Sequence, residues 1–198
     1  MIDVQGGAAR PVSAGGCHLG RFHPTWSPDG KWLTYAQLTP HHPATDDTSN
    51  GCPALHARVE LFVIDADGTK PRLLTTAGSC KAAPDRQAIN SAFDAEAPDW
   101  SPAGRVIALW SGQEACSGQI WRINADGTRR MDLTQAPVPA RNDDPVWSPD
   151  GRQILFSTDR RGQIHLWVMD ADGGNPRFVA ESPPEPGPGD AAWQPIRR

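Results

Sequence analysis

No apolar run in this 198-residue chain approaches the ~20 residues that a membrane-spanning helix needs, so no span of that kind is expected. Positive charge is not in excess either. The 19 Lys and Arg stand against 23 Asp and Glu, and the net charge of −4 removes the electrostatic case for nucleic acid. The motifs of common catalytic centres are missing: Gly-x-Ser-x-Gly, Gly-x-x-x-x-Gly-Lys, His-Glu-x-x-His and Gly-x-Gly-x-x-Gly. Met1 is not followed by a signal peptide, and no segment reads as an amphipathic helix of useful length. What the chain has in quantity is turn formers: the 19 Gly and 20 Pro are what a turn-rich all-β chain requires.

Those turn formers recur in register. Pro24-Thr25-Trp26-Ser27-Pro28-Asp29-Gly30 returns as Pro98 to Gly104 and again as Pro145 to Gly151. A second signature follows each copy: Leu61 to Gly68, Ile120 to Gly127 and Leu166 to Gly173. One repeat reads as four strands. Pro-x-Trp is the first, and Ser-Pro-Asp-Gly makes a tight turn because Pro presets its φ and Gly accepts a positive one. Lys31–Ala36, Arg105–Trp110 and Arg152–Ser157, rich in β-branched and aromatic residues, form the second. The segments around Leu61, Ile120 and Leu166 form the third and close on Asp-Gly hairpin signals. Arg72–Thr75, Met131–Thr134 and Arg177–Ala180 form the fourth. The steps from Trp100 to Trp147 and from Trp147 to Trp193 are 47 and 46 residues, close to the ~40–45 of a propeller blade.

The expected fold is therefore all-β: a β-propeller segment of four-stranded antiparallel blades, three complete, with partial blades at both ends. Blade one is placed at 22–76, blade two at 96–135 and blade three at 143–181. Residues 2–13 match the end of a preceding blade and 190–196 the start of a further one, while strand two of such a fourth blade is missing. This pattern predicts a segment of a longer propeller. The alternative is an open three-blade arc that associates with a partner or with itself through its free edges.

The three copies resemble the TolB-like propeller repeat along nearly the whole chain, from Ile2 to Pro195. Ala103, Asn124 and Val179-Ala180 depart from its pattern. The resemblance implies a propeller of the bacterial periplasm or cell envelope that works by protein–protein contact and carries no chemistry by itself. Similar repeats also precede the hydrolase domain of prolyl-oligopeptidase-type peptidases, so an accessory propeller separated from its catalytic domain is the second reading. A small-molecule or glycan site at the propeller axis is a third, weaker one.

Site candidates come from the residues that break the repeat. Residues 38–59 and 76–95 are insertions that leave blade one from the same face, and inserted loops on a rigid scaffold commonly hold a binding surface. Their polar residues, His41, His42, Asp46, Asp47, His56, Lys81 and Arg86, are the binding candidates for a protein or peptide partner. The four cysteines fall on that face too. Separations of 35 and 36 residues suggest the pairs Cys17–Cys52 and Cys80–Cys116, which would place the protein in an oxidising compartment, periplasmic or extracellular. No metal or cofactor is expected: the Asp-x-Asp-Gly segments lack the calcium-loop spacing and read as hairpin turns. The His-rich insertion has no standard zinc spacing. No nucleophile, base and orienting group can be assembled, so no catalytic residue is named. The recurring Trp26, Trp100, Trp147 and Trp193 read as packing between blades, with Trp32 and Trp110 expected nearer a surface.

Overall fold

The computed structural model describes residues 21–40, 57–75, 96–112, 118–135, 140–181 and Trp193. These hold the strands β1 (Arg21–Trp26), β2 (Trp32–Pro40), β3 (Ala57–Asp65), β4 (Arg72–Leu73), β5 (Glu96–Trp100), β6 (Val106–Ser111), β7 (Gln119–Asn124), β8 (Met131–Asp132), β9 (Asn142–Trp147), β10 (Gln153–Thr158), β11 (His165–Asp170) and β12 (Arg177–Glu181). The strands make three four-stranded sheets, β1 to β4, β5 to β8 and β9 to β12, each in sequence order. Every neighbouring pair is antiparallel. No described residue is helical. The described residues form three blades of a partial propeller.

The turns form as their residues dictate. Gly30, Gly104 and Gly151 donate their N–H groups to the carbonyls of Ser27, Ser101 and Ser148 at 2.8 Å. Each of these glycines has φ near +70°, a conformation that a Cβ would strain. The Ser27 and Ser148 hydroxyls donate to Asp29 and Asp150 and accept the N–H of Trp32 and Gln153. In blade two Ala103 removes that carboxylate, yet the turn keeps its backbone bond, and Ser101 still accepts the Val106 N–H at 3.1 Å. Hydrogen bonds, first from the Ser27 and Ser148 hydroxyls, hold the Asp29 and Asp150 carboxyls below the ordinary carboxylate range. Their contribution to stability is therefore present above that range and is lost as pH falls below it, toward the lowered folded values.

The Asp-x-Asp-Gly segments are hairpin ends. Gly68, Gly127 and Gly173 each donate to the carbonyl of the residue three before it at 2.8 Å. The Asp67 and Asp126 carboxylates accept both the N–H and the O–H of Thr69 and Thr128. Among the described residues no group of three or more His, Cys, Asp or Glu is arranged to hold a metal ion.

The blades pack face to face. Ala36, Val59, Leu61 and Val63 of blade one meet Trp100, Ile107, Leu109 and Trp121 of blade two. Ala108, Ile120 and Leu133 of blade two meet Trp147, Ile154, Phe156 and Trp167 of blade three. Polar contacts close the same joints. The Arg72 guanidinium donates to the Ala125 carbonyl and that of Arg122 to the Ala171 carbonyl, the latter at 3.0 Å, so two different strands reach the equivalent acceptor of the next blade. The Asp99 carboxylate of blade two accepts the backbone N–H of Trp147 at 2.7 Å.

The recurring tryptophans do not share one environment. Trp100 and Trp147 are buried, whereas Trp26 is 40% exposed because no blade precedes it among the described residues. Trp193 donates its indole N–H to the Val146 carbonyl at 3.0 Å, seated on β9. The expected surface position of Trp110 is corrected: it is buried, and its indole fills the space over Gly118, where a Cβ would lie 1.8 Å from Nε1. Trp32 is half-buried and stacks on Trp100 with ring centroids 6.2 Å apart. Trp32 packs against the joint between blades one and two, whereas Trp110 is covered within its own blade, over Gly118 across the ladder.

Asp99 gives a test of these joints. Burial raises its carboxyl pKa, against the opposing hydrogen bonds from the Trp147 and Trp100 N–H groups. The folded chain thus holds a proton that the unfolded chain has already lost, and Asp99's contribution to stability falls as pH rises through that window. Asp99→Asn keeps an acceptor and removes the buried charge. The variant is expected to match or exceed the native protein at pH 7 and to lose that advantage in acid. Asp99→Ala leaves the Trp147 N–H without its acceptor and is expected to lose about 1–3 kcal/mol. Thermal melts across pH 4–8 read both outcomes.

Candidate functional site

The loop face is the end of the blades where strand two turns into strand three and where each strand one begins. Blade one stands out there. Its β2–β3 ladder runs over nine pairs, against six for β6–β7 and six for β10–β11. The added pairs, Leu38 with Val59, Thr39 with Arg58 and Pro40 with Ala57, carry the hairpin about 10 Å beyond its neighbours at ~3.3 Å per residue. His41, His42, Asp46, Asp47 and His56 lie outside the described residues, as do Lys81, Arg86 and the four cysteines Cys17, Cys52, Cys80 and Cys116. What the structure contributes is the stem of the 41–56 segment: a two-stranded arm extended from the face.

Each strand one enters this face through the same irregularity. His23, Ala97 and Asp144, all immediately before a proline, have φ of 49°, 45° and 49°. The ladders shift register at the same place in each blade. Such bulges re-aim side chains at the end of a strand. The first strands run beside one another, and the Ala97 N–H reaches His23 Nδ1 at 3.4 Å.

Beside Asp144 the face holds a pocket of about 200 Å³ lined by Arg141, Asp143, Asp144, Ser157, Thr158, Asp159 and Ile164. Its polar groups are largely engaged by the protein itself. Arg141 pairs with Asp143 at 2.7 Å and donates its backbone N–H to Asp159 at 2.7 Å. The Ser157 hydroxyl donates to the Asp143 carbonyl at 3.3 Å, not to a base. Beneath them the fully buried Asn142 joins blades two and three. It donates to Gln119 at 3.1 Å and accepts from Arg160 at 3.0 Å. Among the described residues this arrangement can position a bound group, but it lacks an activated nucleophile.

The pocket residues were not among the sequence candidates. The signal that could have found them is the polar run Arg141-Asn142-Asp143-Asp144 ahead of Pro145, where the other copies have Phe22-His23 and Glu96-Ala97.

Fold and face together define a propeller repeat protein of TolB type. The family model described as the TolB beta propeller domain matches residues 82–183, and the chain belongs to that family. The uncharacterized protein Atu1656 of Agrobacterium fabrum is 27% identical over 187 residues, covering 80% of this chain. The chain spans 58% of that relative's length. Among solved structures, TolB from Acinetobacter baumannii superposes with a TM-score of 0.60 at 16% identity, over 89% of this chain and 36% of that one. A puromycin-hydrolyzing peptidase of Mycobacterium tuberculosis superposes with a TM-score of 0.61 at 16% identity, over 86% of this chain and 25% of that one. At these identities the structural likeness speaks for the fold.

Proposed function

We propose that the chain is a non-catalytic protein–protein interaction module, working in the bacterial envelope or outside the cell, that presents its loop face to a protein or peptide partner. The observation that carries this reading is the lengthened β2–β3 arm: one blade of three carries nine pairs where its fellows carry six, and it does so on one face only. Blades two and three form with six pairs each, and of the added residues only Val59 is part of the apolar joint with blade two. The turns at the other end stay short in all three blades. The disulfide pairs Cys17–Cys52 and Cys80–Cys116 would tie the insertions to this face. Blade edges that pair with no strand among the described residues would be the route to self-association.

The test is replacement of residues 41–56 by an Asn-Gly turn. Partner capture by a photo-crosslinker placed on the loop face is expected to disappear, while the melting temperature, compared under reducing conditions so that loss of Cys52 does not count, changes by no more than about 1–2 °C. Equal crosslinking from the opposite face would reject the reading.

The likeness to a peptidase favours a second reading, an accessory propeller of a hydrolase. A Gly-x-Ser-x-Gly domain in the adjoining coding sequence would support it; further repeats and a signal peptide would support the first.

A further inference from the structure

The outer rim of blade three differs from the rims of the other blades. The outermost strands β4 and β8 are two residues long, whereas β12 has five. Its far edge pairs with no strand among the described residues. Phe178 and Val179, successive residues of β12, are 40% and 50% exposed. The cause is a bulge: Leu166 pairs with Ala180 and Trp167 with Phe178, so Val179 has no cross-strand partner and the usual alternation is broken.

Cations surround this apolar edge. Arg161 lies 5.2 Å from the Trp167 ring centroid and 5.5 Å from that of Phe178, and Arg160 lies 4.6 Å from Trp167. The exposed Arg177 adjoins Phe178 in β12. Among the described residues no carboxylate stands within ion-pair distance of Arg161 or Arg177. Glu181 ends β12 itself, and three other acids near in sequence hydrogen-bond within the protein. Asp159 accepts the Arg141 N–H, Asp170 the Asn175 amide and Asp172 the Gly174 N–H. Blade two has a related arrangement, with Arg130 4.3 Å from the Trp121 ring centroid and Met131 exposed, but its outer strand is only two residues long and an acid, Asp132, faces Trp121 where blade three has Phe178.

We propose that the outer edge of blade three, β12 with Arg161 and Arg177, is a docking site for an extended acidic segment of a partner protein. A long, apolar, unpaired edge strand receives an extended chain by main-chain pairing. The local positive charge, on a chain whose net charge is −4, selects one whose side chains alternate between apolar and acidic. This site does not depend on the 41–56 insertion, so the loop replacement above should leave it intact.

The probe is a fluorescein-labelled ten-residue peptide alternating Val and Glu, followed by anisotropy against the full chain. Saturable binding to the native chain is expected, weakened about tenfold by Arg161→Glu with Arg177→Glu and, in the native chain, weakened by 0.5 M NaCl. The reversed variant is expected to prefer the matching Val–Lys peptide. Both arginines are on the surface, so an unchanged melting temperature separates lost docking from lost folding. No saturable binding, or binding indifferent to the charge reversal, would overturn the proposal. Equal affinity for a Gly–Glu peptide or for single-stranded DNA would also overturn it, by showing only polyanion attraction. A dimer in sedimentation velocity that Arg161→Glu dissolves would assign the edge to a second copy instead.

Discussion

Trp147→Ala is expected to destabilise the protein by about 3–5 kcal/mol, the range for emptying a buried aromatic position. Trp26→Ala, at the equivalent position of blade one, is expected to lose about 1 kcal/mol. The two side chains are the same and occupy the same place in the same motif. They differ in what covers them. Trp147 is 7% exposed and packed against Ala108, Ile120 and Leu133 of the preceding blade, whereas Trp26 is 40% exposed. Urea denaturation of the two single variants and the double variant measures the contrast. Equal losses would mean that the tryptophan supports its own blade and not the joint, and would undo the account of how the blades are held together.

A second large loss is expected from Gly173→Ala. Gly173 has φ +91°, and a Cβ there would stand 2.6 Å from the Leu133 carbonyl oxygen and 3.1 Å from its Cα. The obstacle is the backbone of blade two, which cannot swing aside as a flexible side chain could. Gly127 supplies the control: its φ is +89°, but a methyl added there would meet the Leu74 oxygen at an ordinary 3.5 Å. Gly127→Ala is therefore expected to lose only the ~1–2 kcal/mol of a left-handed alanine. Gly173→Ala should lose about 1–3 kcal/mol more, for forcing two blades apart. Matching melting temperatures for the two variants would show that the joint at Leu133 yields without resistance.

The turns were fully legible in the sequence. Ser-Pro-Asp-Gly and Asp-x-Asp-Gly fix their conformation through neighbours in the chain, and even Ala103 does not change the outcome, because the backbone bond from Gly104 to Ser101 survives without the carboxylate. Strands two and three were legible to within a residue or so in blades two and three. The outer strand of blade three was legible too, but those of blades one and two end sooner than expected. Arg72–Thr75 and Met131–Thr134 were expected to be strands, yet the ladder ends at Leu73 and Asp132. Beyond those residues the Thr75 and Thr134 hydroxyls take over, accepting the N–H of Leu61 and Ile120. A side chain that replaces a backbone partner leaves no trace in hydrophobic periodicity. The burial of Trp110 was also missed, since it depends on Gly118 across the ladder.

By itself the sequence determined the repeating unit, because strand, turn and aromatic position are each set by residues within about one blade's length. Only the tertiary structure decided which copies of the tryptophan are sealed and which are not, that Arg72 and Arg122 close equivalent joints from different strands, and that Arg161 and Phe178 come together on an unpaired edge. Those properties belong to the contact between sheets and to the ends of ladders. Identical local sequence acquires different surroundings there according to what stands beside it.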